Sequence, residues 1–347
     1  MSKSVRRSTV IAGIAVLSML LAACSTGTTD DAAETTATAA SESTTAQESA
    51  DEGAALPKMW YINVLTSYEL YNVAQALFEE SASTLGYEAN TAGSATVDVP
   101  EQITLIEQAI ATGAEAIIYC NVDPPTYEKT VKAAQAEGVI MITTGGCVDD
   151  YSDYSIGTDN VTFGEVAAQT VAAQVGEDAQ VIAFATNESV PNQVAQLNSF
   201  KDYAAKNYPN MKIISTQYTD ADAAKAALKI PAALAAFPEA NAMWFVEGAG
   251  VSAVPKSLEQ AGKKPGEIYV LGVDSTPETL KSIEDGWVSS TLAQCFFYAT
   301  PFAADLALKK LNGEGPSQQS WPVGVVPVGP ADLPFAGCPE SAYPTIQ

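Results

Sequence analysis

The sequence contains no histidine. Ser-His-Asp triads, Cys-His dyads, His-ligated zinc and imidazole acid-base chemistry are therefore excluded, and any proton transfer would fall to carboxylates. Positive charge is scarce as well: 17 Lys and Arg stand against 41 Asp and Glu, a formal net charge of -24. A nucleic-acid backbone binds by exchanging its counterions for cationic side chains, so this chain would repel it, and nucleic acid is excluded as a partner. No two of the five cysteines are spaced C-x-x-C, which removes the common zinc and redox motifs, and neither a metal nor a cofactor is expected. The glycines of "MITTGGC", Met141 to Cys147, lack the G-x-x-x-x-G-K-S/T and G-x-G-x-x-G spacings that gather backbone amides onto a phosphate. An extracellular nucleotide enzyme is thereby disfavoured.

One apolar run stands out, at the N-terminus. Lys3, Arg6 and Arg7 precede "STVIAGIAVLSMLLAAC", which is too short and wrongly flanked for a permanent span and reads as an export signal over residues 1–23. Its end, "LAAC", resembles the lipobox of bacterial lipoproteins. That resemblance implies cleavage before Cys24, diacylation of its sulfur and attachment to the outer face of the cell membrane. Residues 24–56 are rich in Ser, Thr, Ala and acid with no aromatic, a composition that cannot bury enough apolar surface to order itself. They are expected to form a solvated tether.

Past the tether, short apolar runs alternate with helical stretches. Ten strands are predicted, from "MWYINVL" through "AEAIIYC", "VIMITT" and "YSIGT" to "AQVIAFAT", "NAMWFVE", "EIYVLGVD" and "VSSTLAQC", with "YEANTA" and "MKIISTQYT" as the remaining two. Eight helical stretches separate them, and several close on Gly, the usual left-handed stop. Strands alternating with helices of this length imply βαβ units and parallel sheets covered on both faces. The pattern runs once to about Thr158 and again from Asp159 to Gln294, so two doubly wound lobes of an α/β protein are expected. In such sheets a ligand sits beyond the carboxyl ends of the strands. The residues found there are repeatedly polar or aromatic: Ser67, Tyr68, Glu69 and Tyr71; Asn121 and Asp123; Gly145 and Gly146; Asn187, Asn192 and Gln193; Glu247; Asp274; and Gln294.

Four cysteines remain beside Cys24, an even number in an oxidising exterior. Cys120 and Cys147 follow two strands that should be neighbours, so a bridge at the cleft rim is expected. Cys295 follows the tenth strand and Cys338 lies in a Pro-rich tail; these two either bridge, pinning the tail, or stay as buried thiols.

The chain resembles the periplasmic-binding-protein type 1 solute receptors, and among them the ribose-binding-like branch. The resemblance rests on "LGY" (Leu85–Tyr87), "IGTDN" (Ile156–Asn160), "VLGVDSTPETLKSIEDG" (Val270–Gly286) and "STLAQ" (Ser290–Gln294), in that order, and covers about residues 58–327. It implies two Rossmann-like lobes joined by three crossover strands, with residues 57–158 plus about 295–322 in the first lobe and 159–294 plus about 323–347 in the second. It further implies a monomeric, non-enzymatic receptor that traps a small molecule on closure and delivers it to an ABC permease with its ATPase.

By the same resemblance, Asp274 and Gln294 fall where the branch holds sugar hydroxyls, although "DSTPE" also reads as a helix start with Asp274 as its cap. Elsewhere the chain departs from the ribose pattern. Gly145-Gly146 stand where the branch carries Asp-Arg, and Asn192, Gln193 and Val194 are nearest to its clamping arginine. Glu247 replaces an asparagine, and Tyr68, Glu69, Leu70 and Tyr71 replace Asn-Pro-Phe-Phe. A neutral sugar or polyol is the ligand this set favours, with a nucleoside, an aromatic or cationic molecule, or a sensing role as the alternatives. A glycosidase using Glu69 and Glu247 across a cleft is a remote one. Trp60, Trp244 and Trp287 are read as packing residues, and Trp321 as a cleft-rim candidate.

Overall fold

The computed structural model describes residues 56–343, so the signal sequence, Cys24 and the tether before Leu56 lie outside the described residues. The first half of the chain lays down β1 (Lys58–Asn63), α1 (Glu69–Thr84), β2 (Glu88–Gly93), α2 (Val99–Ala111), β3 (Ala114–Tyr119), α3 (Pro124–Ala136), β4 (Ile140–Gly145) and β5 (Tyr154–Thr158). Each βαβ step is parallel, and β3 and β4 are almost wholly buried, as expected for central strands covered on both faces. Helix starts follow local chemistry: the Asp98 carboxylate accepts from the Glu101 N–H at 3.0 Å, and Pro124 stands at the start of α3, where no N–H is needed.

After β5 the chain crosses to a second sheet through α4 (Asn160–Val175), whose first turn is capped by Asp159. There follow β6 (Gln180–Ala185), α5 (Pro191–Asn207), β7 (Lys212–Tyr218), α6 (Ala223–Ala236), β8 (Ala242–Phe245), α7 (Gly248–Val251), α8 (Val254–Gln260), β9 (Tyr269–Val273), α9 (Pro277–Glu284) and β10 (Ser290–Gln294). The expected single helix over residues 251–262 is thus two short ones. The chain then returns to the first lobe with α10 (Thr300–Leu311) and β11 (Ser320–Val323), and crosses a last time to β12 (Val325–Val328). The two six-stranded sheets have orders β11-β5-β4-β3-β1-β2 and β12-β10-β9-β8-β6-β7. Two α/β lobes with three crossings between them result.

All ten predicted strands are present; α10, β11 and β12 are additional. Pro322 and Pro327 weaken the strand signal of β11 and β12, yet both strands lie at sheet edges, where a missing N–H is tolerated. Trp321 does not rim the cleft. It is 1% exposed and packs edge-on against Tyr154 and Phe302 in the first-lobe core.

Both cysteine bridges form, Cys120–Cys147 and Cys295–Cys338. The second carries the tail back across the molecule: Leu333 packs on the second-lobe core, whereas Cys338, Ala342 and Tyr343 pack on the first. The end of the tail therefore does not belong with the second lobe, because its bridge partner Cys295 already stands on the first-lobe side of the crossing. No helix among the described residues is long and apolar enough to cross a membrane.

Candidate functional site

The carboxyl ends of the strands from both sheets converge on one cleft of about 750 Å³. Asp274, directly after β9, stands in its lining. This residue adopts a left-handed backbone (φ 64°), held by its neighbour strand: its N–H donates to Leu292 O at 2.9 Å and its carbonyl accepts from Thr291 Oγ1 at 2.7 Å. The unusual conformation turns the carboxylate away from the following helix and towards the other lobe. Thr276, not Asp274, caps α9.

The carboxylate anchors a chain of hydrogen bonds that passes between the lobes. Tyr68 Oη, from the first lobe, donates to Asp274 Oδ2 at 2.6 Å, and Gln294 Nε2 donates to Oδ1 at 2.8 Å. Gln294 Oε1 in turn accepts from Thr158 Oγ1 at 3.1 Å, which joins the ends of two crossing strands. Burial holds the Asp274 carboxyl above its ordinary range, partly offset by these two donors. Burial, then the charge of Asp274, raises Tyr68 as well, so its phenol stays protonated and keeps donating. Gly248 closes the arrangement: a Cβ there would lie 2.9 Å from Tyr68 Oη and 3.3 Å from Asp274 Oδ2.

Beside this cluster stand three further aromatic rings. Tyr71 meets Phe297 edge-on at 5.1 Å, Phe297 approaches Tyr68 at 6.1 Å, and Phe296 lies behind them next to Gly145. Phe296 and Phe297 were absent from the residues expected at the site. They follow the carboxyl end of β10, so the rule that found the others also applied to them.

Other expected residues divide. Tyr68, Tyr71, Gly146, Asn192, Asp274 and Gln294 line the cleft, and Gly146 faces Asn192 across it, its added Cβ 3.6 Å from Nδ2. Asn121 and Glu247 also line it, but their polar atoms are committed elsewhere. Asn121 Nδ2 donates to Asp149 and to Tyr151 Oη, while the Glu247 carboxylate accepts from Thr219 Oγ1 at 2.8 Å and from the Gly250 N–H at 3.0 Å, capping α7. Burial raises the Glu247 carboxyl too, against those donors.

Six residues lie outside the lining, among them Asp123, which accepts from Thr126 Oγ1, and Asn187, which accepts from the Ser189 N–H, each a local contact. Ser67 donates to Ala95 O at 2.8 Å, and Glu69 is exposed on the first turn of α1. Gly145 is covered by the Cys120 sulfur and Phe296, and Gln193 turns back to bind Thr186 through both amide atoms. With Glu69 on the surface, no carboxylate pair from Glu69 and Glu247 spans the cleft. The residues lining the cleft include no Lys or Arg, and the described residues contain no cluster of metal-ligating side chains.

Residues 61–315 match the family described as the periplasmic binding protein domain. The chain belongs to that family. Its members are extracytoplasmic binding proteins rather than enzymes. Among curated relatives, the ribose import binding protein RbsB of Bacillus subtilis is 25% identical over 198 residues, 57% of this chain and 63% of that one. The aligned part is thus just under two thirds of the Bacillus protein's length. RbsB of Salmonella typhimurium is 24% identical over 250 residues, 71% of this chain and 81% of that one. Among solved structures, an ABC transporter solute-binding protein from Burkholderia graminis, in complex with D-arabinose, superposes with a TM-score of 0.72 at 22% identity, over 81% of this chain and 98% of that one. That likeness is one of fold. In this member of the family the two lobes touch through Tyr68 and Asp274.

Proposed function

We propose that the protein captures a neutral polyhydroxy molecule, a sugar or polyol, between its lobes and delivers it to an ABC permease. The observation that carries this reading is the Tyr68-Asp274-Gln294 cluster where the lobes meet, in a cleft lined by no cationic side chain. A carboxylate with lone pairs to spare, an amide N–H and flat aromatic faces suit vicinal hydroxyls and the C–H face of a sugar ring. An anionic phosphosugar would meet Asp274 with no compensating cation. A cationic ligand loses support because Glu69 is on the surface and Glu247 is committed to α7. The names of the relatives, ribose-binding proteins and an arabinose-bound receptor, agree with this choice of class.

Delivery to the membrane completes the proposal. Residues 1–23 act as a signal peptide, Cys24 carries lipid, and residues 24–56 tether a monomeric receptor whose first lobe comprises residues 57–158 with about 295–322. A thermal-shift screen of the purified mature protein against sugars, polyols, nucleosides, amines and inorganic phosphate tests the ligand class, since a ligand that binds the folded state raises the melting temperature. Sugars or polyols are expected to raise it. A rise confined to nucleosides or amines would replace this reading with another.

A further inference from the structure

The cleft has two unlike ends. Two contacts between the lobes fix which loops face each other: the loop after β1 meets the loop after β9 through Tyr68 and Asp274, and the loop after β4 meets the start of α5 through Gly146 and Asn192. The first end holds the hydrogen-bonding cluster and the aromatic rings. On the second side, the lining residues that follow β3, β4, β6 and β7 include Val122, Pro124 and Val148 from the first lobe and Val190, Pro191 and Ala221 from the second, beside Gly146 and Asn192.

The polar side chain that adjoins Val122 is already partnered within the first lobe. Asn121, the polar residue before Val122, has its amide turned to Asp149 and Tyr151 and its oxygen taken by Thr143 Oγ1. The Cys120–Cys147 bridge joins the same two loops, so the wall that carries Val122 and Val148 is fixed in place. These two valines are 39% and 45% exposed, among the few large aliphatic side chains that face outward on a strongly acidic protein. Asn192 remains as the amide at the boundary between the two ends. A volume of about 750 Å³ also lies in the upper part of the roughly 300 to 1,000 Å³ typical of pockets that bury a drug-sized ligand. A single small sugar at Asp274 leaves the apolar end to water.

We propose that the ligand is amphipathic: a glycoside whose sugar is held at Asp274 and Gln294 and whose aryl or alkyl aglycone lies between Val122, Val148 and Pro124 on one wall and Val190, Pro191 and Ala221 on the other. The inference rests on the polyhydroxy reading above and narrows it. Removing an aglycone from water between two preformed apolar walls adds affinity that the free sugar lacks.

Calorimetry on the mature protein separates the possibilities. The probes are D-ribose, D-arabinose, D-xylose, D-glucose, D-galactose and D-allose, each beside its phenyl β-glycoside, with phenol as the control. For the sugar that fits, the phenyl glycoside is expected to bind at least about tenfold tighter than the free sugar, a gain that corresponds to about 1.4 kcal/mol, while phenol alone does not bind. In the double variant V122N/V148N, checked for folding by its melting temperature, the ratio of the two affinities is expected to fall to about one. Free sugar binding as tightly as its glycoside, or a ratio untouched by the double variant, overturns the aglycone assignment and leaves the sugar reading intact. Phenol binding as well as the glycosides, or no binding by any member of the panel, overturns both.

Discussion

Strands β8 and β9 are neighbours in one sheet, and each is followed by a buried carboxylate, Glu247 and Asp274. Residue type, burial and the direction of the pKa shift are alike. What differs is the backbone. Glu247 is extended (φ -140°), which aims its carboxylate along its own chain at the Gly250 N–H, and Thr219 supplies the other donor from the same lobe. Asp274, in the left-handed region, is aimed away from its chain, and its donors are Tyr68 of the opposite lobe and Gln294 at a crossing strand. One acid holds a loop together and the other joins the two lobes. Position at a strand's carboxyl end thus selects candidates, and the hydrogen-bond partners decide among them.

Replacing each acid with alanine is the strongest attempt to break this comparison. Asp274→Ala is expected to weaken binding of the cognate sugar by about 1 to 3 kcal/mol, because ligand hydroxyls are left without an acceptor. Calorimetry measures it. Glu247→Ala is expected to change the same affinity by no more than about 0.5 kcal/mol, in line with substitutions that touch no ligand. Equal losses from the two variants would abolish the distinction.

Stability should sort the same pair in the opposite order. Glu247→Ala removes the cap of α7 and leaves the Gly250 N–H without its acceptor, while the Thr219 hydroxyl keeps only Ala185 O at 3.3 Å, a loss of about 1 to 2 kcal/mol. Urea denaturation of the unliganded protein reads this, and Glu247→Gln, which keeps an acceptor oxygen, should recover most of it. A smaller effect sharpens the role of the cross-lobe contact. Tyr68→Phe retains the ring and deletes the 2.6 Å bond to Asp274, and is expected to reduce sugar affinity by about 0.5 to 1.5 kcal/mol, less than Asp274→Ala. A larger loss than that of Asp274→Ala would mean that the tyrosine, not the carboxylate, is the principal ligand contact.

Much of this was legible in the sequence, and the limits have a physical cause. The alternation of strands and helices, the division into two halves near Thr158, and the convergence of strand ends follow from periodicity and from the geometry of parallel sheets, whereas the crossings near Thr158 and Gln294 are implied by the family resemblance. The resolution fails by one residue at helix starts. Tyr68 faces the cleft and Glu69 faces solvent; Asn192 faces the cleft and Gln193 turns back to Thr186. Tyr68 is the extended residue before α1, so its side chain leaves the chain on another side than Glu69, and within α5 the adjacent residues Asn192 and Gln193 differ by about 100° around the axis. The phase of that rotation is set by how the helix docks on its sheet, which nothing local encodes. Asn121 and Glu247 illustrate a second limit: each stands at the cleft, yet the partners that occupy it, Asp149 with Tyr151 and Thr219, come from distant parts of the chain. Phe296 and Phe297 are different, since they sit just past a strand end and were readable there.

The smallest expected effect carries the comparison into pH. The folded Asp274 carboxyl lies above its unfolded value, which is about 3.9. Protonation therefore favours the folded state: its contribution to stability is fully present below the unfolded value and is lost as pH rises through the folded one. Asp274→Asn does not titrate, so unliganded Asp274→Asn should match the wild type in melting temperature at low pH and exceed it increasingly as pH rises from about 4 until the folded value is passed. Sugar affinity moves the other way in the wild type. The ionised carboxylate is the better acceptor of hydroxyls, so affinity should fall as pH is lowered through the folded value, while that of Asp274→Asn stays low and flat. Melting curves and calorimetry on the two proteins across that range test both halves. A wild-type advantage in unliganded stability that grows with pH would mean that the Tyr68 and Gln294 hydrogen bonds outweigh burial, and that Asp274, like Glu247, is held chiefly by the fold.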